Sequence, residues 1–117
     1  MRGFGVYIRA KRERLSEKSK DFSLRKIATK IGVEPAFLSK VEREIVSPPS
    51  EQKIVALAEV LGEDKDVLLA MAGKVSSDLL GVIRERPEIF AELIRKLKSE
   101  PDHAVLRIVR EVKDGEW

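Results

Sequence analysis

Cationic side chains are the chemical resource that this chain concentrates in one place. Residues 1–46 carry 12 Lys and Arg against 6 Asp and Glu, residues 47–73 carry 2 against 5, and residues 74–117 carry 9 against 9. A local surplus of fixed positive charge can neutralise phosphates and displace their counterions. Other chemistries lack their parts. His103 is the only histidine and there is no cysteine, so the usual zinc ligand sets cannot be assembled, and neither an HExxH nor a P-loop pattern occurs. Gly3-Phe4-Gly5 lacks the third glycine, the preceding strand and the following βαβ unit of a dinucleotide site. Asp78, Glu85 and Glu88 are the carboxylates an acid–base pair would draw on, but nothing near them in sequence supplies a pocket, and they read as a solvated helix face. His103 reads as a surface residue at a helix start. No catalytic residue, metal or cofactor is therefore expected.

The elements that must position the charge are read from the stretch SLRKIATKIGVEPAFLSKVER, Ser23 to Arg43. Leu24, Ile27, Ala28 and Ile31 fall at i, i+3, i+4 and i+7, which gives a helix one apolar face and turns Arg25, Lys26, Thr29 and Lys30 away from it. Ser23 is a suitable N-cap, and Gly32 can take the left-handed conformation that ends a helix. The chain turns within Gly32-Val33-Glu34, and Pro35 suits the first turn of a second helix. Leu38 and Val41 give that second helix a narrow buried seam and leave its other face open. Small Ala28 and the corner at Gly32 allow the two backbones to approach closely. The spacing specifies a helix-turn-helix.

At Ile27-Ala28, Ile31-Gly32-Val33, Leu38 and Val41-Glu42 the sequence resembles the phage-repressor and Cro-like family, also called the XRE family, in both residue type and spacing. The resemblance implies that the second helix enters the major groove of double-stranded DNA. In that layout Glu34, Pro35, Ala36, Phe37 and Lys40 are expected to face the bases, with Ala36 and Phe37 against thymine methyls and Lys40 donating to guanine O6 or N7. Phe37 as a core residue is the alternative. Phosphate contacts are expected from the helix start at Ser23 and Leu24, from Arg25 and Lys26, and from Ser39 and Arg43. The run FGVYIRAKRERL looks like the family's opening helix, in which an arginine pairs with the acid closing the recognition helix. Here those residues are Arg12 and Glu42, a structural ion pair. The chain departs from the family after Arg43, where glycine and basic residues usually follow and Glu44-Ile45-Val46-Ser47 stands instead. Glu44 must then adopt a left-handed cap at some cost or the helix must end differently. Ile45 and Val46 are expected to pack on the core rather than form an exposed patch.

The remaining pattern is helical throughout, so the fold class expected is all-α: a five-helix repressor-like DNA-binding domain over residues 1–73 and a short helical extension over residues 74–117. The first helix is expected over Phe4–Glu17, with Phe4, Ile8 and Leu15 on one side and a fraying start at Gly3 and Gly5. Ser16–Phe22 reads as a mobile polar loop, with Phe22 folding back as a hydrophobic staple. Ser50 caps a fourth helix bearing Ile54, Leu57, Ala58 and Leu61, and Asp64 caps a fifth offering Val67, Leu68 and Met71. Beyond residue 73 two apolar stripes stand out, Ile89-Phe90-Leu93-Ile94-Leu97 and Val105-Ile108-Val109-Val112. Forty-four residues are too few to bury such faces privately. The stripes are therefore expected to dimerise, and Gly81 would mark a close backbone approach there.

The resulting expectation is a sequence-specific transcriptional regulator, a repressor by default, binding a palindromic operator as a homodimer. The alternative is a protein-interaction adaptor or antitoxin-like partner that docks another protein through residues 74–117. Apolar runs no longer than Val67–Ala72 argue against a membrane span, no signal peptide is read, and the absence of cysteine fits a reducing cytoplasm.

Overall fold

The computed structural model describes residues 3–115, and within them the chain is all-helical. Eight helices follow in order: α1 Phe4–Ser16, α2 Leu24–Ile31, α3 Pro35–Glu42, α4 Glu51–Leu61, α5 Lys65–Met71, α6 Ser77–Glu85, α7 Pro87–Leu97 and α8 Asp102–Asp114. The chain divides into two compact units, the first ending at Ser76 and the second beginning at Ser77.

The first unit is built on one hydrophobic core. Phe4 and Ile8 of α1, Ile27, Ala28 and Ile31 of α2, Leu38 and Val41 of α3, Ile54, Leu57, Ala58 and Leu61 of α4, and Leu68 and Leu69 of α5 are all buried together. Each helix contributes only its apolar face, which is why the polar residues between these positions reach solvent. The starts of α2, α4 and α5 are capped by side chains accepting from first-turn N–H groups: Ser23 from Lys26 at 3.2 Å, Ser50 from Lys53 at 3.4 Å, and Asp64 from Asp66 and Val67 at 2.8 and 3.2 Å. The α2 helix ends at Gly32, whose φ of 76° lets Val33 N–H bond back to the Ala28 carbonyl at 2.9 Å.

Four details differ from the sequence-based expectation. The polar loop after α1 contains a 3-10 turn, Lys20–Phe22, opened by Ser19 accepting from Asp21 N–H at 3.2 Å. Phe22 is half-buried against the core, and its carbonyl accepts from the Arg12 guanidinium at 3.3 Å, which ties the turn down. In α5 the buried pair is Leu68 and Leu69, while Val67 is 54% exposed, because a seven-residue helix meeting the core at its middle cannot turn three successive positions inward. Ile45 and Val46 part company: Val46 packs on the core and Ile45 is 60% exposed. Finally, Gly3 and Gly5 are not a fraying start. Gly5 is buried, and both glycines lie against Glu44.

The second unit has a different character. None of the described residues in α6, α7 or α8 is buried. Pro87 opens α7 at its first turn, where a missing N–H costs nothing. A side chain added at Gly81 would meet nothing within 4 Å. No close backbone approach among the described residues therefore explains that glycine.

Candidate nucleic-acid interface

The geometry of the helix-turn-helix follows from which side of α3 is buried. Leu38, Val41 and Glu42 face inward, and the eight-residue helix rides on α2 through the first two. Its opposite face carries Glu34, Ala36, Phe37 and Lys40 exposed and Pro35 half-buried. Phe37 is 37% exposed and lies outside the core cluster, so it is available to a ligand. Pro35 stands at the first turn, and Glu34 forms the N-cap without a side-chain cap bond, which leaves its carboxylate uncommitted to the helix.

Around that face stand the cationic groups of α2 and of the end of α3. Arg43 curls back so that its Nε donates to the Ser39 Oγ and carbonyl at 3.2 and 3.3 Å, coupling the two residues on one side of α3. Arg25, Lys26, Thr29 and Lys30 are exposed on α2. Lys26 Nζ lies 3.4 Å from Asp21, an exposed pair of small energetic consequence, and Lys30 Nζ lies 5.7 Å from the centre of the Phe22 ring. Ser23 spends its side chain on capping Lys26 N–H, while the first N–H groups of α2, at Leu24 and Arg25, have no intrahelical acceptor. This helix start offers donors to an anion.

The frame behind α3 is an ion pair. Arg12 meets Glu42 in two parallel bonds, Nε to Oε2 at 2.7 Å and Nη2 to Oε1 at 2.9 Å. Only 11% of the Arg12 side chain and 4% of the Glu42 side chain reach solvent. The hydrogen bond to Glu42 raises the Arg12 pKa further, against the opposing effect of burial, so its charge is permanent. Planar bidentate geometry fixes orientation as well as distance, so the pair sets how α1 lies against the end of α3. Lys53 of α4 adds a brace at the other end by donating to the Gly32 carbonyl at 3.3 Å.

Two contributions are not evident from the sequence, the brace from Lys53 and the bond made by the Glu44 carboxylate. Lys53 carried no signal beyond its place in an amphipathic helix. Glu44 did carry one: of the two endings open to it, it takes the left-handed cap, φ 60°, and its Oε2 accepts from Val6 N–H in the first turn of α1 at 3.1 Å. The paired glycines flanking Phe4 were the visible trace of this contact. The residues of the two apolar stripes belong to the second unit. There Ile89, Leu93, Ile94, Ile108, Val109 and Val112 are exposed and Phe90, Leu97 and Val105 half-buried.

Five helices around one core, with the third presenting an open face beside exposed basic residues, define a helix-turn-helix DNA-binding domain. Residues 8–68, just over half of the chain, match the family described as Helix-turn-helix. The chain belongs to that family, the XRE type of DNA-binding transcriptional regulators, which is not a family of enzymes. No match to the chain was found among curated proteins or among solved structures. Among the described residues no helix is long and apolar enough to cross a membrane.

Proposed function

We propose that this regulator is a repressor that binds a palindromic operator as a homodimer. The observation carrying the reading is the sidedness of α3: Leu38, Val41 and Glu42 anchor it while Glu34, Ala36, Phe37 and Lys40 stand clear beside Arg25, Lys26 and Arg43. In this reading Glu34, Pro35, Ala36, Phe37 and Lys40 meet base edges. Ser23, Leu24, Arg25, Lys26, Ser39 and Arg43 hold the phosphates, and these contacts position the protein without reading sequence. Thr29 and Lys30, exposed on the same helix, extend the basic surface. A single recognition helix reads only a few base pairs, so two copies on a two-fold axis supply the missing information. Repression follows when the occupied operator overlaps the site polymerase needs.

Pairing through α7 and α8 is supported by their exposed apolar residues. A helical unit with no buried side chain among its described residues gains most from covering Ile89, Leu93, Ile94, Ile108, Val109 and Val112 with a second copy. Equal numbers of acids and bases over residues 74–117 remove net repulsion between copies. The same exposure favours one second reading, in which these helices dock a different protein, as in an adaptor or antitoxin.

Selection of bound sequences from random duplexes, followed by affinity measured across a salt series, tests the reading. A two-fold symmetric consensus with half-sites about 10–10.5 bp apart is expected. Recovery of unselected sequence at every salt concentration would overturn sequence-specific binding.

A further inference from the structure

We propose that Glu44 is a positioning residue, whose carboxylate locks the C-terminal end of α3 to the N-terminal end of α1 and so sets the attitude of α3. The inference rests on the reading that α3 meets DNA. Three observations converge on it.

The first is the bond itself. Glu44 Oε2 accepts from Val6 N–H at 3.1 Å, across 38 residues of sequence. The N-cap residue of α1, Gly3, has no side chain with which to cap its own helix. A carboxylate from the end of α3 therefore takes a donor that α1 cannot satisfy internally, and it sits at the positive end of the helix dipole.

The second is the backbone of Glu44. Its φ of 60° makes it the only non-glycine residue with positive φ among those described. The turn is closed by Glu44 N–H to the Val41 carbonyl at 3.0 Å and Ile45 N–H to the Lys40 carbonyl at 2.9 Å. Glycine occupies such a position without strain. A side chain held there in spite of the strain must return something, and the cap on α1 is what the structure offers.

The third is the space made for it. A Cβ at Gly3 would overlap the Glu44 carboxylate. One at Gly5 would overlap the Val41 carbonyl oxygen and lie 2.7 Å from Glu44 Cγ and 2.8 Å from the Glu42 carbonyl oxygen. Glycine is unfavourable inside a helix, yet Gly5 in the first turn and Gly3 at the N-cap together let α1 settle on the end of α3. The Arg12–Glu42 pair grips the same two helices about 9 Å further along α1, counted from Val6 to Arg12 at the helical rise. Added to the core contacts of Leu38 and Val41, two polar contacts at separate heights restrict the rotation of α3 against α1 further than one would.

The experiment exploits a difference in sign. An acid near a phosphate-binding surface ordinarily weakens binding, so its removal should tighten every complex. Positioning demands the reverse. Affinity of the full chain for its selected duplex is measured at one salt concentration for wild type, Glu44→Ala, Glu44→Gly and Glu44→Gln, with exchange of the Val6 amide followed by NMR in the free proteins. The alanine and glycine variants are expected to bind about two- to tenfold more weakly and to exchange the Val6 proton faster. Glutamine, whose amide oxygen still accepts, should restore most of both. Glycine also relieves the backbone strain, so a weakened Glu44→Gly cannot be ascribed to a poor turn. Alanine and glycine variants that bind as tightly as wild type or tighter, or a glutamine variant as weak as alanine, would overturn the proposal. If the wild-type chain binds no duplex, the DNA reading fails on its own. The Val6 exchange then decides the role of Glu44, with unchanged exchange in all three variants refuting it.

Discussion

Replacing Arg12 with alanine should be the most damaging single change to the first unit that leaves its hydrophobic core intact. The substitution removes two bonds to Glu42 and one to the Phe22 carbonyl, and it leaves a carboxylate only 4% exposed without its counter-charge. Breaking a buried pair from one side costs about 3–5 kcal/mol in general. Arg12 keeps 11% of its side chain in solvent, so water can enter part of the vacated space, and about 2–4 kcal/mol is the expected loss here. Small domains are stable by only about 5–15 kcal/mol, so the midpoint of a urea transition should fall sharply at an unchanged slope. A control separates the pair's net worth from the penalty of orphaning one member. Arg12→Met combined with Glu42→Leu removes both charges and keeps apolar bulk, and it should lie closer to wild type than Arg12→Ala does. Far-ultraviolet circular dichroism through urea titrations of the three proteins gives the comparison. A loss below about 1 kcal/mol for Arg12→Ala, or a double variant no more stable than it, would refute the assignment of a buried, mutually dependent pair.

Charge reversal at Lys26 or Arg43 should weaken binding to every duplex alike and flatten the dependence of affinity on salt. A changed sequence preference at unchanged affinity, read in the same titrations, would contradict a phosphate role. Lys40→Ala should cost about 1–3 kcal/mol at one base pair of the selected site and little elsewhere, and an unaltered preference in a repeated selection would remove Lys40 from base reading. Sedimentation of the full chain beside a chain ending at Ser76, which retains every residue of the described core, should show a dimer for the first and a monomer for the second. A full-length monomer, or a shortened chain that pairs as tightly, would place the dimer contact elsewhere.

The helix-turn-helix was legible because its determinants are local. Leu24, Ile27, Ala28 and Ile31 announce a face by spacing, Gly32 announces a corner, and Leu38 with Val41 announces the seam that meets them, all within 21 residues. Tertiary geometry decided what spacing could not. Val67 and Leu69 sit on the same short helix, and only the position of the other four helices determines that Leu69 is buried while Val67 is exposed. Phe22 offered an apolar ring in a polar linker, and the bond from Arg12 to its carbonyl, which no local pattern encodes, helped turn loop into 3-10 helix. Glu44 is the sharpest instance. Its place after Arg43 left a left-handed cap as one of two possible endings, but its partner lies 38 residues away at Val6, and a reading that proceeds by neighbours could not connect them. The Arg12–Glu42 placement was reachable at similar distance only through the family resemblance.

The division of labour along α3 has a consequence for how such a protein can change. Leu38, Val41 and Glu42, together with Glu44 just beyond the helix, make the attachments to the rest of the fold, whereas Glu34, Ala36, Phe37 and Lys40 make none of the described hydrogen bonds or ion pairs through their side chains. Attachment and display thus occupy different positions in and beside one eight-residue helix and share no side chain. Exposed positions away from structural contacts tolerate substitution at little energetic cost. New residues can therefore be installed at the four display positions as a set, leaving the scaffold that carries them untouched.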